Sequence, residues 1–131
     1  MIITFDSETL SSADPEVRER IAAGITPPGN MSKADTIAKW TEEVRPGLID
    51  EAVARTGLDG AMGSIAVIAY AIDGVSPLSL SAHEFSERDM LRMFMDVLDE
   101  FCDAQSRPVF CGHNIHGFDL PFIWKIGRAH V

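Results

Sequence analysis

Residues 1–10 read MIITFDSETL, an apolar and β-branched run from Ile2 to Phe5 that ends on two carboxylates, Asp6 and Glu8. The run predicts a short strand of the kind buried in the middle of a sheet. Side chains alternate faces along a strand, so residues i and i+2 point the same way and Asp6 and Glu8 stand side by side. Like charges at that spacing oppose each other's ionisation. Either a divalent cation relieves them, or solvent does so at a frayed strand end.

Outward from this strand the punctuation is helical. In ADPEVRERIAAG, Asp14 is placed to cap a helix, Pro15 to occupy its first position and Gly24 to stop it. TPPGN then reads as a loop. SKADTIAKWTEEV restarts a helix with Ser32 as cap and Asp35 three residues on, and Ile37, Trp40 and Val44 share a face. Pro46 kinks or restarts that helix and Gly57 closes it. Residues 11–57 thus form a helical excursion that follows the first strand.

Ser64–Ile72 and Leu78–Phe85 are strand candidates joined by a turn-rich DGVSP, which predicts an antiparallel hairpin. SERDMLRMFMDVLDEF is the clearest helix, with Ser86 and Asp89 as a capping box. Leu91, Phe94, Met95, Leu98, Phe101 and Cys102 lie on one stripe that the spacing assigns to the core. Pro108–Cys111 is a fourth strand, and GHNIHGFDLPFIWK is a loop that enters a last helix around Pro121. The order predicts a mixed α/β sheet in which strand four runs beside and parallel to strand one. That pairing would bring the GHN loop and the last helix to the strand end that carries Asp6 and Glu8, where open α/β sheets place ligands.

Composition narrows the function classes. The 131 residues, 46% apolar and 24% charged, fit one globular domain. A net charge of −9 argues against binding nucleic acid by blanketing phosphates with basic residues, but not against meeting phosphate through a metal. Six of the eleven basic residues (Arg18, Arg20, Lys33, Lys39, Arg45 and Arg55) fall in the helical excursion. The apolar run Ile65–Ile72 is far too short to span a bilayer, and the N-terminus lacks a secretory pattern. A cytoplasmic protein with no membrane partner is expected, and Cys102 and Cys111 read as free thiols.

Taken together, FDSETL and HNIHGFDLPF resemble the first two motifs, D-x-E and N-x3-[FY]-D, of the ribonuclease H-like DEDD superfamily, which includes the proofreading 3′–5′ exonucleases. The long insertion, with GLDGAMGSIAVIAYAID after it, looks like the phage and bacterial branch related to the exonuclease domain of family B DNA polymerases. The resemblance covers residues 1–125. It implies the N-terminal portion of a ribonuclease H-like mixed sheet with flanking helices, the insertion at 11–57 following strand one. It also implies two-metal hydrolysis of phosphodiester bonds in DNA.

By that resemblance Asp6 bridges two divalent cations, Mg2+ or Mn2+. Glu8 holds the ion that activates water, and Asp119 serves the other ion directly or through water. Thr9, Leu10, His113, Asn114 and Phe118 are the motif residues that bind substrate or support the site. The implied partners are DNA, as a single strand or 3′ end, and a DNA polymerase or replication protein.

Read without the family, Asp119 charges or caps a helix N-terminus, Asn114 supports a turn, and His113 fixes its loop. Phe118 and Trp40 could stack on a base, although core packing explains both. The family's third motif, Y-x3-D or H-x4-D, does not follow Asp119, so the 131 residues alone are expected to be inactive or nearly so. IGRAHV, residues 126–131, back-translates to ATCGGAAGAGCACACGTC, a run common in sequencing-adapter DNA, which reads as an artefact.

Two other classes compete. One is a catalytically silent nuclease-like domain that binds nucleic acid or a polymerase. The other is a haloacid dehalogenase-like phosphatase, whose FDxDGTL opening FDSETL superficially resembles, although in this sequence the second acid is Glu8 and Thr9 comes one residue too early for that pattern.

Overall fold

The computed structural model describes residues 1–101 and 107–130. Its elements, in chain order, are β1 (Ile2–Leu10), α1 (Pro15–Gly24), α2 (Ala34–Glu43), α3 (Arg45–Arg55), β2 (Ser64–Ile72), β3 (Leu78–Ser81), α4 (Glu87–Phe101), β4 (Val109–Cys111) and α5 (Asp119–Ala129). The strands form one mixed α/β sheet in the order β3-β2-β1-β4. β2 lies antiparallel to β1 and to β3, as the hairpin pattern predicts. β4 lies parallel to β1, with Ile2, Ile3 and Thr4 opposite Val109, Phe110 and Cys111.

β1 is central but not buried on both faces. Its burial alternates along the whole strand: Ile3, Phe5 and Ser7 are buried, and Thr4, Asp6 and Glu8 are exposed. The covered face packs Phe5 with Ile68, Tyr70, Leu80, Met90, Phe94, Ile115, Phe122 and Ile126, so α4 and α5 lie on that side. The rings of Phe5 and Phe94 stand 5.7 Å apart, in the range where tilted aromatic pairs attract.

A bulge interrupts the regular pairing. Glu8 lies opposite Val67 but Thr9 lies opposite Ile65, so Ala66 is an extra residue on β2. The bulge explains why Ile65 faces the core together with Ile68 and Tyr70, across an odd-to-even change in numbering. A continuous apolar run such as IAVIAYAI carries no alternation that would reveal this.

Local signals place most helix ends. Asp14 caps α1 by accepting from the Glu16 amide at 2.9 Å, with Pro15 in first position. Ser86 and Asp89 cap α4, the Asp89 amide donating to Ser86 Oγ at 3.1 Å and that hydroxyl donating to Asp89 Oδ2 at 2.7 Å. The predicted Ser32 cap does not form: α2 starts at Ala34 behind Lys33, so Ser32 stands one residue too early. β3 ends at Ser81, short of Phe85, because the chain turns there and the amides of Glu84 and Phe85 both donate to the Ser81 carbonyl. The buried face of α4 is turned from the predicted stripe. Met90 is fully buried with Leu91 and Phe94, while Met95 and Phe101 are exposed. Cys102, placed by the sequence on that stripe, lies outside the described residues.

The excursion folds as α1–α3, with α3 packed on both α1 and α2. Arg45 ties it internally by donating to the carbonyls of Ile25 and Ala22, and Arg18 pairs with Asp50. Its return is clamped to the end of β1. Thr9 Oγ1 donates to the Gly57 carbonyl at 2.6 Å, and the Ser12 amide donates to Thr56 Oγ1 at 2.8 Å. Gly63 allows this closure, because a Cβ there would meet the Thr56 carbonyl oxygen at 2.6 Å. No helix among the described residues is long and apolar enough to cross a membrane.

Candidate functional site

The sheet's second face carries the site. Asp6 pairs with Ala69, which pairs with Ser79; Glu8 pairs with Val67, which pairs with Ser81. Paired residues share a face, so the surface around the two acids is made of Val67, Ala69, Ala71, Ser79, Ser81 and Thr4, most of them small side chains. The register predicted from D-x-E therefore holds: Asp6 and Glu8 are both exposed on one face, and buried Ser7 between them points to the other.

β4 brings the second segment alongside. Gly112 follows the strand and lies so close to the Phe5 carbonyl and to Ile115 that any Cβ would collide with both. Glycine is what lets the chain run this near β1. Two residues beyond the Thr4–Cys111 pair, His113 comes level with Asp6 on the open face. The two line an open depression of about 340 Å3 together with Thr4, Ala69, Ala71 and Pro77. A larger groove, about 390 Å3, lies on the covered side among Leu91, Phe94, Leu98, Phe110, Leu120 and Trp124. It is apolar and holds none of the three acids, whereas the smaller depression holds Asp6.

The loop then reverses. Asn114 sits at φ 51°, a left-handed conformation that Asn tolerates, and its carbonyl accepts from the amides of Gly117 and Phe118. The turn role read for Asn114 is thus its structural one. Ile115 drops into the core, 4% exposed, and Phe118 packs on Phe122 with ring centroids 5.4 Å apart. Trp40, the other aromatic considered for base stacking, is buried within the excursion. Thr9 is spent on the Gly57 carbonyl, and Leu10 is half exposed at the strand end.

Asp119 is the residue whose place the sequence leaves most open. It is the first residue of α5, behind Phe118, so its charge lies in the helix's first turn as read, but among the described residues its side chain caps no amide of that turn. Its Oδ1 instead accepts twice from Ser7, from the amide at 3.0 Å and from the hydroxyl at 2.5 Å, and the residue is 2% exposed. The amide lies in the plane of the sheet at the edge β4 has left free, and the hydroxyl lies on the covered side. Asp119 therefore seals the edge of β1 from the side of α5, while Asp6 and Glu8 stand on the open face.

All three acids meet at one three-residue stretch of β1, but they do not form a single ligand cluster. Among the described residues no three His, Cys, Asp or Glu side chains are grouped so as to hold a metal ion. Asp6 and Glu8 are the pair whose oxygen donors suit a hard divalent cation. Asp119 offers Oδ2, which has no hydrogen bond among the described residues.

Ser7 is the site residue that motif reading passes over. The signal was available: in Ile3, Phe5, Ser7 a hydroxyl takes the third core-facing position of a central strand, and a buried hydroxyl needs a partner.

Comparison with known proteins gave no match: no family model, no curated protein and no solved structure resembles the chain closely enough to report.

Proposed function

We propose that the chain is the N-terminal portion of a ribonuclease H-like, metal-dependent 3′–5′ exonuclease domain that acts on DNA. The observation that carries the reading is the Ser7–Asp119 contact. Across 112 positions of sequence, the acid of HNIHGFD is drawn to the residue between the two acids of FDSET. Neither segment alone is specific, and the contact brings the two to one stretch of β1, which supports reading them as one site. The strand order β3-β2-β1-β4, with β4 parallel to β1, supports the same reading.

The roles follow from placement. Asp6 and Glu8 would hold the cations, Mg2+ or Mn2+, and the close approach of two carboxylates is then an asset rather than a cost. When bound, such ions supply Lewis acidity to the attacking and leaving oxygens of a phosphodiester. The small residues Ala69, Ala71, Ser79 and Ser81 leave room for a nucleotide strand over the open face. His113, exposed beside Asp6, would lie within reach of a strand held there.

A protein in which this chain is extended through a segment carrying the family's third motif tests the reading. With a 5′-labelled oligonucleotide and Mn2+, stepwise shortening from the 3′ end that is abolished by Asp6→Ala is the expected result. The silent binding domain is the second reading, supported by the lack of a three-residue ligand group among the described residues. Retention of the oligonucleotide without shortening would establish it. Release of phosphate from a small ester, with the oligonucleotide intact, would point to the phosphatase.

A further inference from the structure

We propose that Asp119 closes the fold and takes no part in holding a cation, so that an ion on the open face is held by Asp6 and Glu8 without it. The inference rests on the metal-dependent reading above and divides its three acids into two that face substrate and one that faces the protein. By the family resemblance Asp119 would be a ligand, and its surroundings do not fit that role. The residue is 2% exposed and lies on the covered side of β1, whereas Asp6 and Glu8 are exposed on the other. Ser7 gives both of its donors, amide and hydroxyl, to the Asp119 Oδ1. Among the described residues no three acids, histidines or cysteines are grouped to hold a metal ion.

The protein itself meets the charge that a cation would otherwise meet. Asp119 opens α5, where the free amides of a first helical turn place partial positive charge, and two hydrogen bonds from Ser7 add to it. In return the carboxylate completes β1. Beyond the Thr4–Cys111 pair the chain leaves β4 at Gly112, and the buried amide and hydroxyl of Ser7 find their acceptor in Asp119. A buried donor left unpaired is costly, so β1 needs this acceptor whether or not a metal is bound. Phe122 and Ile126 of the same helix lie in the core, and the contact fixes the start of that helix against the strand. Two carboxylates also suffice for the open face, since Mg2+ keeps several of its waters and is bound by one or two carboxylates together with substrate phosphate.

The test titrates MgCl2 into the full 131-residue chain and follows the side-chain carboxyl carbons by nuclear magnetic resonance. Asp6 Cγ and Glu8 Cδ are expected to shift with a common midpoint, while Asp119 Cγ moves by only a small fraction of either. Asp6→Asn should raise the midpoint read at Glu8 severalfold. Asp119→Asn, which keeps an acceptor for Ser7, should leave it unchanged. An Asp119 Cγ shift as large as theirs and on the same midpoint would overturn the proposal. So would a severalfold higher midpoint in Asp119→Asn with the Ser7 amide still protected from exchange. The titration of the unaltered chain decides the matter even where Asp119→Asn fails to fold. If neither Asp6 nor Glu8 shifts, the metal-dependent reading fails and takes the proposal with it, a result distinct from the other two.

Discussion

Phe5 and Asp6 are neighbours in the chain and face opposite worlds. The face of β1 that holds Ile3 and Phe5 is closed by α4 and α5, with Phe5 only 2% exposed, whereas the face that holds Asp6 and Glu8 is floored mainly by alanine and serine, with Val67 opposite Glu8, and left open. The first face is specified by volume and the second by charge. Their contrast makes a quantitative expectation. Phe5→Ala should cost about 3–5 kcal/mol of folding stability through lost burial and a cavity. Asp6→Ala should move stability by no more than about 0.5 kcal/mol. Urea unfolding of both variants measures the difference, and comparable losses would mean that the open face is part of the packing after all.

The contrast has two points of contact, and each can be broken. At Gly112 the chain passes from β4 to the site by lying against the Phe5 carbonyl; Gly112→Ala should cost about 1–3 kcal/mol and loosen the β1–β4 ladder. Loss of amide protection at Val109, which donates to the Met1 carbonyl, would register it. At Ser7 a polar group enters the covered face and is satisfied by Asp119. Asp119→Ala strands that hydroxyl and should cost about 1–3 kcal/mol, while Ser7→Ala with Asp119→Ala should recover part of the loss. A double variant as unstable as the simple sum of the singles would show that the two residues act independently.

What the sequence discloses divides along the same line. The alternation of IITFDSE places Asp6 and Glu8 together because strand parity is a local property, and Asp14 and Ser86 cap their helices because caps are local too. The parallel strand four follows from a general rule about crossovers. What escapes is set by tertiary packing. The Ala66 bulge is hidden in an unbroken apolar run, and the Met90 face of α4 is chosen by the sheet it meets rather than by its own period. The openness of the second face depends on which elements cover it, and nothing local in β1 records that. Asp119 is the instructive case: its local reading as a cap is reasonable, and a partner 112 positions away takes the carboxylate instead.

The helical excursion extends the comparison to charge. Of its six basic residues, Arg18 pairs with Asp50, Arg55 with Glu51, and Arg45 with backbone carbonyls. Arg20, Lys33 and Lys39 are exposed and make no ion pair among the described residues. If the open face receives a nucleic-acid strand, these three are the residues of the excursion left to meet its phosphates. Replacing the two lysines with serine should weaken oligonucleotide binding severalfold at low salt and flatten its salt dependence, with stability unchanged. Equal affinity at low salt would remove them from any such role.

The smallest effect concerns the loop that leads from the excursion to β2 and rests against the covered side. Gly60 lies against the Phe122 carbonyl of α5, and Asp59 beside it accepts from the Ala61 amide at 3.0 Å and from Lys125 Nζ at 2.9 Å. These bonds, the Ala61 amide first and Lys125 second, hold the Asp59 carboxyl below its ordinary value of 3.8. A carboxylate depressed in this way binds its proton more weakly folded than unfolded. Its contribution to stability is therefore complete above about pH 4 and fades as the pH falls through the lower, folded value. Because the pair is partly exposed, the contribution stays below about 1 kcal/mol. Asp59→Asn should remove this acid-side dependence, and Lys125→Met should remove only the lesser share that the ammonium supplies. Unfolding measured between about pH 6 and pH 2.5 separates the two; a Lys125→Met profile as flat as that of Asp59→Asn would transfer the leading role from the loop amide to the ion pair.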